Sequence, residues 1–230
     1  MLKSSTLHES LVSVQLNPEI RAYIEEIIVP QYSSFDPAHR VDHVSSVIAN
    51  ALQMSGFYSV DMDMVAMAAA CHDLGLCEDR ETHHLVSGRI IRSDANLLRW
   101  FSPEQVETIA QAAEDHRASS DHKPRSIYGR IVAEADRQII PETVIRRTVQ
   151  YGFTHYPELD REGHWRRMLE HLHEKYAEGG YLKLWIPESP NARNLAKLRE
   201  IIRDELRLRS IFEEIYDDCR AADTATGPRR

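Results

Sequence analysis

The sequence predicts an all-α protein. Three observations carry that expectation: apolar residues recur at helical spacing along nearly the whole chain, proline and glycine punctuate those runs, and strand-like alternation is nearly absent. Only GGYLKLWIP, residues 179–187, reads as extended. No repeat of fixed period and no long linker divides the chain, so one domain is expected over 1–220, with AADTATGPRR (221–230) as a disordered tail.

The elements follow in order. NPEIRAYIEEIIVP (17–30) puts Pro18 near a helix start and Ile20, Tyr23, Ile24, Ile27 and Ile28 on one face. Asp36 can cap the next helix, Pro37 fits its first turn, and Val41, Val44, Val47, Ile48 and Leu52 form its apolar stripe. A third helix, from about Val60 to Asp73, is apolar on most faces and is expected at the centre of the fold, with Gly75 ending it. Further helices are expected near 81–95, 103–117, 124–138, 141–156 and 161–177. A last long one fits 190–217, where Asn194, Leu198, Ile201, Ile202, Leu206 and Ile211 through Ile215 keep helical spacing.

Bulk properties exclude several functions. The net charge of −8 argues against binding nucleic-acid polymers, which rests on neutralising phosphates with Lys and Arg. No apolar run approaches the roughly 20 residues that span a bilayer, and the N-terminus does not read as a signal peptide, so no membrane partner is expected. At 230 residues the chain buries enough surface to need no staples, and Cys71, Cys77 and Cys219 have no framework spacing. Reduced thiols in a cytoplasmic protein are the expectation.

The chemistry gathers around AMAAACHDLGL, residues 66–76, where an apolar helix ends in His72 and Asp73. Two polar side chains at the mouth of an apolar segment are costly unless something satisfies them, and a cation would. His39 and His43 stand four apart on one helix face, His43 inside the apolar stripe and His39 nearer solvent. Asp136 sits in RIVAEADRQI (130–139), beside Ile131, Val132, Ala135 and Ile139. Taken singly, His43 reads as a core histidine, His72-Asp73 as a helix cap, and Asp136 as a partner of Arg130 or Arg137. Taken together, His43, His72, Asp73 and Asp136 put two imidazoles and two carboxylates into one bundle interior. That set suits Mn²⁺, Fe²⁺, Co²⁺, Ni²⁺ or Zn²⁺, with Mg²⁺ also compatible.

The ordered set, an isolated His43, then His72-Asp73 at the end of an apolar helix, then Asp136 in "EADR", resembles the HD superfamily of metal-dependent phosphohydrolases. The resemblance covers about 36–140; the N-terminal helix and the additional helices of 141–220 lie outside it. It implies an HD-domain-like helical bundle, a divalent metal at those four residues, and hydrolysis of phosphate esters or nucleotides. Dinuclear members carry two more metal-binding histidines between the His-Asp pair and the last Asp, and His84 and His116 match these by order and approximate spacing, with His83 as a substitute for His84. Asp73 would then bridge two ions and, with His84 and His116, form the catalytic set.

Phosphate charge needs further cations, and Arg40, Arg117, Lys123 and Arg125 are the candidates, although each also reads as a solvated basic residue. Glu114 and Asp115 could hold a ligand histidine from behind. Glu78 and Asp79 lie further past His-Asp than the acidic pair of stringent-response hydrolases. Histidines 155, 164, 171 and 173 fall in charged stretches and read as surface residues. Trp165, Tyr176, Tyr181 and Trp185 could line a pocket, a homodimer seam or simply a core. The expected function is metal-dependent hydrolysis of a nucleotide or another small phosphorylated metabolite. A di-iron oxygenase on the same ligands, and a regulatory module that binds a nucleotide without cleaving it, are the alternatives.

Overall fold

The structure, a computed structural model, describes residues 15–35, 40–120 and 122–226, with side chains to 221. The expected cap Asp36, Pro37 and His39 lie outside the described residues. No strand occurs among the described residues, and the extended stretch expected at 179–187 is irregular coil and turn.

Among the described residues ten α-helices follow one another: α1 (Pro18–Tyr23), α2 (Val41–Ser55), α3 (Met62–Cys71), α4 (His83–Ser93), α5 (Pro103–Glu114), α6 (Ile127–Asp136), α7 (Pro141–His155), α8 (Arg161–Tyr176), α9 (Pro190–Arg203) and α10 (Glu205–Thr226). Their starts obey capping chemistry. Asp61 accepts the Asp63 and Met64 amides, Ser102 and Gln105 form a reciprocal capping box, and Ser126 and Asp160 cap α6 and α8.

Three sequence expectations shift. After α1 the chain widens into a π-turn over Ile24–Ile28 and tightens to 3₁₀ over Val29–Ser34, which buries Ile24 and Ile28 but leaves Ile27 half exposed. The long helix over 190–217 breaks at Asp204, whose carboxylate accepts the Arg207 amide and so starts a second helix. The break turns Leu206 off the apolar stripe, leaving it 87% exposed. α10 also carries helix to Thr226, into the segment expected to be disordered from 221.

The described helices fall into two compact units. The first runs through Arg137 and takes back Leu184–Ser189; the second comprises Gln138–Lys183 and the chain from Pro190. In the first unit α3 is central, packed on α2, α5 and α6, and Met64 through Cys71 are all buried. Alanines at 66, 68, 69 and 70 let three helices approach it closely. The N-terminal segment, outside the family resemblance, contributes Ile20, Ile24, Ile28 and Tyr32 to the same core. Segment 184–189 is latched by the buried Glu134, which accepts the Trp185 amide (2.8 Å) and the Ser189 hydroxyl (2.5 Å).

In the second unit Ile145, Val149, Trp165, Met168, Leu195 and Phe212 are buried, and Arg161 and Arg209 join α8 to α10 by ion pairs with Glu213, Asp217 and Glu162. His164, expected at the surface, is buried and stacks on Phe153 (4.8 Å between centroids). Trp165 packs on Phe212, so it serves the core. No described helix is long and apolar enough to cross a membrane.

Candidate metal centre

The site begins where α3 runs out. His72 continues the helical backbone, and Asp73 turns out of it. Tyr32 holds this turn from behind: its buried hydroxyl donates to the Ala70 carbonyl (2.7 Å) and accepts the Asp73 amide (3.2 Å). The sequence carries no local signal for Tyr32, because its contacts are made 38 and 41 residues away. Tyr32→Phe leaves the Asp73 N–H buried without a partner and is expected to cost about 1–3 kcal/mol. A urea titration should show a lower midpoint with an unchanged slope; an unchanged midpoint would remove Tyr32 from this role.

Gly75 does more than end a helix. A Cβ there would lie 2.0 Å from the His83 carbonyl oxygen, and its N–H donates to the buried Ser87 hydroxyl (2.9 Å). The missing side chain lets the first turn of α4 press against the segment that follows Asp73. The Asp79 carboxylate accepts both the amide and the hydroxyl of Thr82 (2.8 Å each), which fixes the turn leading into His83. Glu78 pairs with Arg89 instead of facing the site.

Three imidazoles share one arrangement. His72 Nδ1 lies 2.8 Å from the Ala69 carbonyl, His83 Nδ1 2.7 Å from Arg80 and His116 Nδ1 2.5 Å from Ala113, in each case three residues back. A carbonyl only accepts, so each Nδ1 carries a proton and each ring turns its Nε2 inward. These Nε2 atoms converge on Asp73. Its Oδ2 is 3.2 Å from His72 Nε2 and 3.7 Å from His43 Nε2, while its Oδ1 is 3.3 Å from both His83 and His116 Nε2. Asp136, the last residue of α6, closes the first group with Oδ1 at 3.2 Å from His43 and 3.8 Å from His72.

Thus His43, His72, Asp73 and Asp136 come together as the sequence predicts. The second pair differs: His83, not His84, meets His116 and Asp73. Adjacent helical residues point about 100° apart, and the Asp79–Thr82 turn sets which one faces inward. His84 Nδ1 is buried without a hydrogen-bond partner, and its ring lies 5.6 Å from that of His83.

The basic candidates separate as well. Arg117 donates to the Glu81 carbonyl, and its charge helps lower the pKa of His83 and His84. Arg40 is exposed at the start of α2 and Lys123 is exposed in its loop. Arg125 is instead occupied by Glu114 (2.6 Å) and Asp115 (2.8 Å), because two carboxylates face it at close range. Those carboxylates therefore hold arginines rather than a ligand histidine; the Ala113 carbonyl does that for His116.

The electrostatics are those of a cation site. Burial pushes the Asp73 carboxyl up, yet His72 and His116 outweigh it and hold it well below the usual range. Burial likewise opposes Asp136, which His43 and His72 hold low. His72 resists burial and is drawn up to about 9 by Asp73 and Asp136. Burial and the neighbouring His116 lower His83, and burial, His116 and His83 lower His84 to about 4.

These donors fit a divalent ion. His72 Nε2 is buried with no hydrogen-bond partner, and His83 and His116 present Nε2 atoms 3.2 Å apart. Two lone pairs at that distance repel unless a proton or a cation lies between them. Ligands about 2.1 Å from one ion sit roughly 3–4 Å from each other, which the spacings above match. Two donor groups result, His43–His72–Asp73 and Asp73–His83–His116, joined by one carboxylate.

The sequence profile of the HD domain family matches residues 40–138. No curated protein and no solved structure matches the chain. HD domains are typically metal-dependent hydrolases, and all six converging side chains, His43, His72, Asp73, His83, His116 and Asp136, fall inside the matched segment. Residues 40–138 are an HD domain of the HD superfamily.

Proposed function

We propose that this protein is a metal-dependent phosphohydrolase that acts on a nucleotide or another small phosphorylated metabolite. One observation carries the reading: Asp73 turns each carboxylate oxygen to its own set of imidazole Nε2 atoms, which suits two cations held side by side. A divalent cation held by these residues would supply a Lewis acid for a phosphoryl oxygen and would lower the pKa of water from 15.7 towards about 7. The chain's own part is positional. Carbonyls of Ala69, Arg80 and Ala113 fix the tautomers, Tyr32 fixes the Asp73 backbone, and Asp136 balances charge beside His43. Arg117, next to His83 and His84, is the cation best placed to meet a substrate phosphate.

The test is phosphate release from a panel of nucleoside mono-, di- and triphosphates and p-nitrophenyl phosphate, with added Mn²⁺ and a chelated control, alongside metal analysis of the purified protein. Release that needs the metal supports the reading. Two irons per chain with O₂-dependent turnover and no phosphate release would replace it with the oxygenase. Nucleotide bound and recovered intact after long incubation with metal would replace it with a regulatory module.

A further inference from the structure

Outside the Asp73 cluster, five charged side chains form an unbroken chain, Glu107–Arg92–Glu114–Arg125–Asp115. Arg92, in the last turn of α4, donates to both oxygens of Glu107 (2.7 and 2.8 Å) and to Glu114. Arg125 donates to the other oxygen of Glu114 (2.6 Å) and, through Nε and its backbone N–H, to Asp115 (3.0 and 2.6 Å). Glu114 is the central link, its side chain only 12% exposed. Its carboxylate occupies the space left open by Gly88, where a Cβ would come within 2.3 Å of Oε1. The buried Asp115 in turn lies against Gly129 in the first turn of α6.

This chain joins the segments that carry the second donor group. His83 lies five residues before Gly88 on α4, and His116 lies two residues after Glu114. Their Nε2 atoms are 3.2 Å apart, so a shift of about 0.5 Å between α4 and α5 is enough to spoil a shared ligand geometry. Among the described residues, no hydrogen bond or ion pair of the five reaches α2 or α3, which supply His43 and lead to His72.

We propose that Glu114 is a positioning residue that sets the gap between His83 and His116 and thereby the affinity for a second divalent cation. The proposal rests on the two-cation reading above. Glu114 touches neither imidazole; from the end of α5 it holds Arg92 of α4, while Arg125, from the segment before α6, braces its other oxygen.

Calorimetric titration of the chelator-stripped full chain with Mn²⁺ tests this. The wild type is expected to bind in two steps. Glu114→Gln keeps the size of the side chain but removes the charge on which two guanidiniums converge. It is expected to leave the first step within about twofold and to weaken the second by tenfold or more, in the range that outer partners of metal ligands command. A role in stability alone would weaken both steps alike, and that result, or an unchanged second step, overturns the proposal. If circular dichroism shows that Glu114→Gln does not fold, Arg92→Gln, which removes the guanidinium that joins α4 to Glu114, is read in the same way. A wild type that takes a single Mn²⁺ overturns the two-cation reading itself, and this is seen before any variant is titrated.

Discussion

Asp73→Asn is expected to lower Mn²⁺-dependent phosphate release by about a hundredfold or more while leaving the helical content unchanged. Losing a group that merely supports a metal ligand costs 10–100-fold, and Asp73 faces four imidazoles through two oxygens. The amide keeps the shape but loses the charge, and its NH₂ end offers a metal ion no lone pair. Both donor groups should weaken together, so metal content should fall with activity. The turn itself should survive, because Tyr32 holds the Asp73 backbone rather than its carboxylate. Phosphate release within threefold of wild type, at normal metal content, would remove Asp73 from the centre of the mechanism.

Much of this site is legible in the sequence because it is built on helix periodicity. His43 falls on the apolar stripe of α2, His72 and Asp73 end a helix that is buried on all sides, and Asp136 ends α6 beside Ile131, Val132 and Ala135. For such residues, knowing the helix is knowing the direction of the side chain. Legibility fails where a turn or a tertiary contact decides. The choice between His83 and His84 depends on how the Asp79–Thr82 turn feeds the first residue of α4, which periodicity does not reach. Arg125 looks like a free cation until the fold brings Glu114 and Asp115 against it. Tyr32 works only through distant backbone atoms. The break at Asp204 is a local competition between capping and helix continuation, which the run of apolar residues on both sides conceals. Nor does spacing reveal that the chain leaves the first unit after Arg137 and returns at Leu184, because the buried Glu134 that latches the returning segment looks like one more charged residue in "EADR".

In the metal-free protein, thermal stability should fall as pH rises from 6.5 to 9, and the metal-loaded protein should not follow it. His72 is held at about 9 against an ordinary 6.5, by Asp73 and Asp136 acting against its burial. A histidine raised in the folded state contributes stability that is complete below 6.5 and is lost as pH climbs through 9. The interval corresponds to at most about 3 kcal/mol, counted once, since the lowered Asp73 and Asp136 are the other side of the same attraction. In a chain of this size that amounts to a fall in Tm of roughly 6–12 °C. Asp73 and Asp136 contribute stability that is lost only in strong acid, and the lowered His83 and His84 act below 6.5, where buried neutral rings disfavour the folded state as protons become available. The window above 6.5 therefore isolates His72. A bound divalent ion competes with the same proton for Nε2, so its affinity should rise across that window and offset the loss. Parallel melting curves at pH 6.5 and 9, stripped and with Mn²⁺, should diverge with pH. Equal Tm values for the stripped protein at both pH values would mean that His72 is already neutral beside Asp73, and that the charge of the two carboxylates is balanced elsewhere.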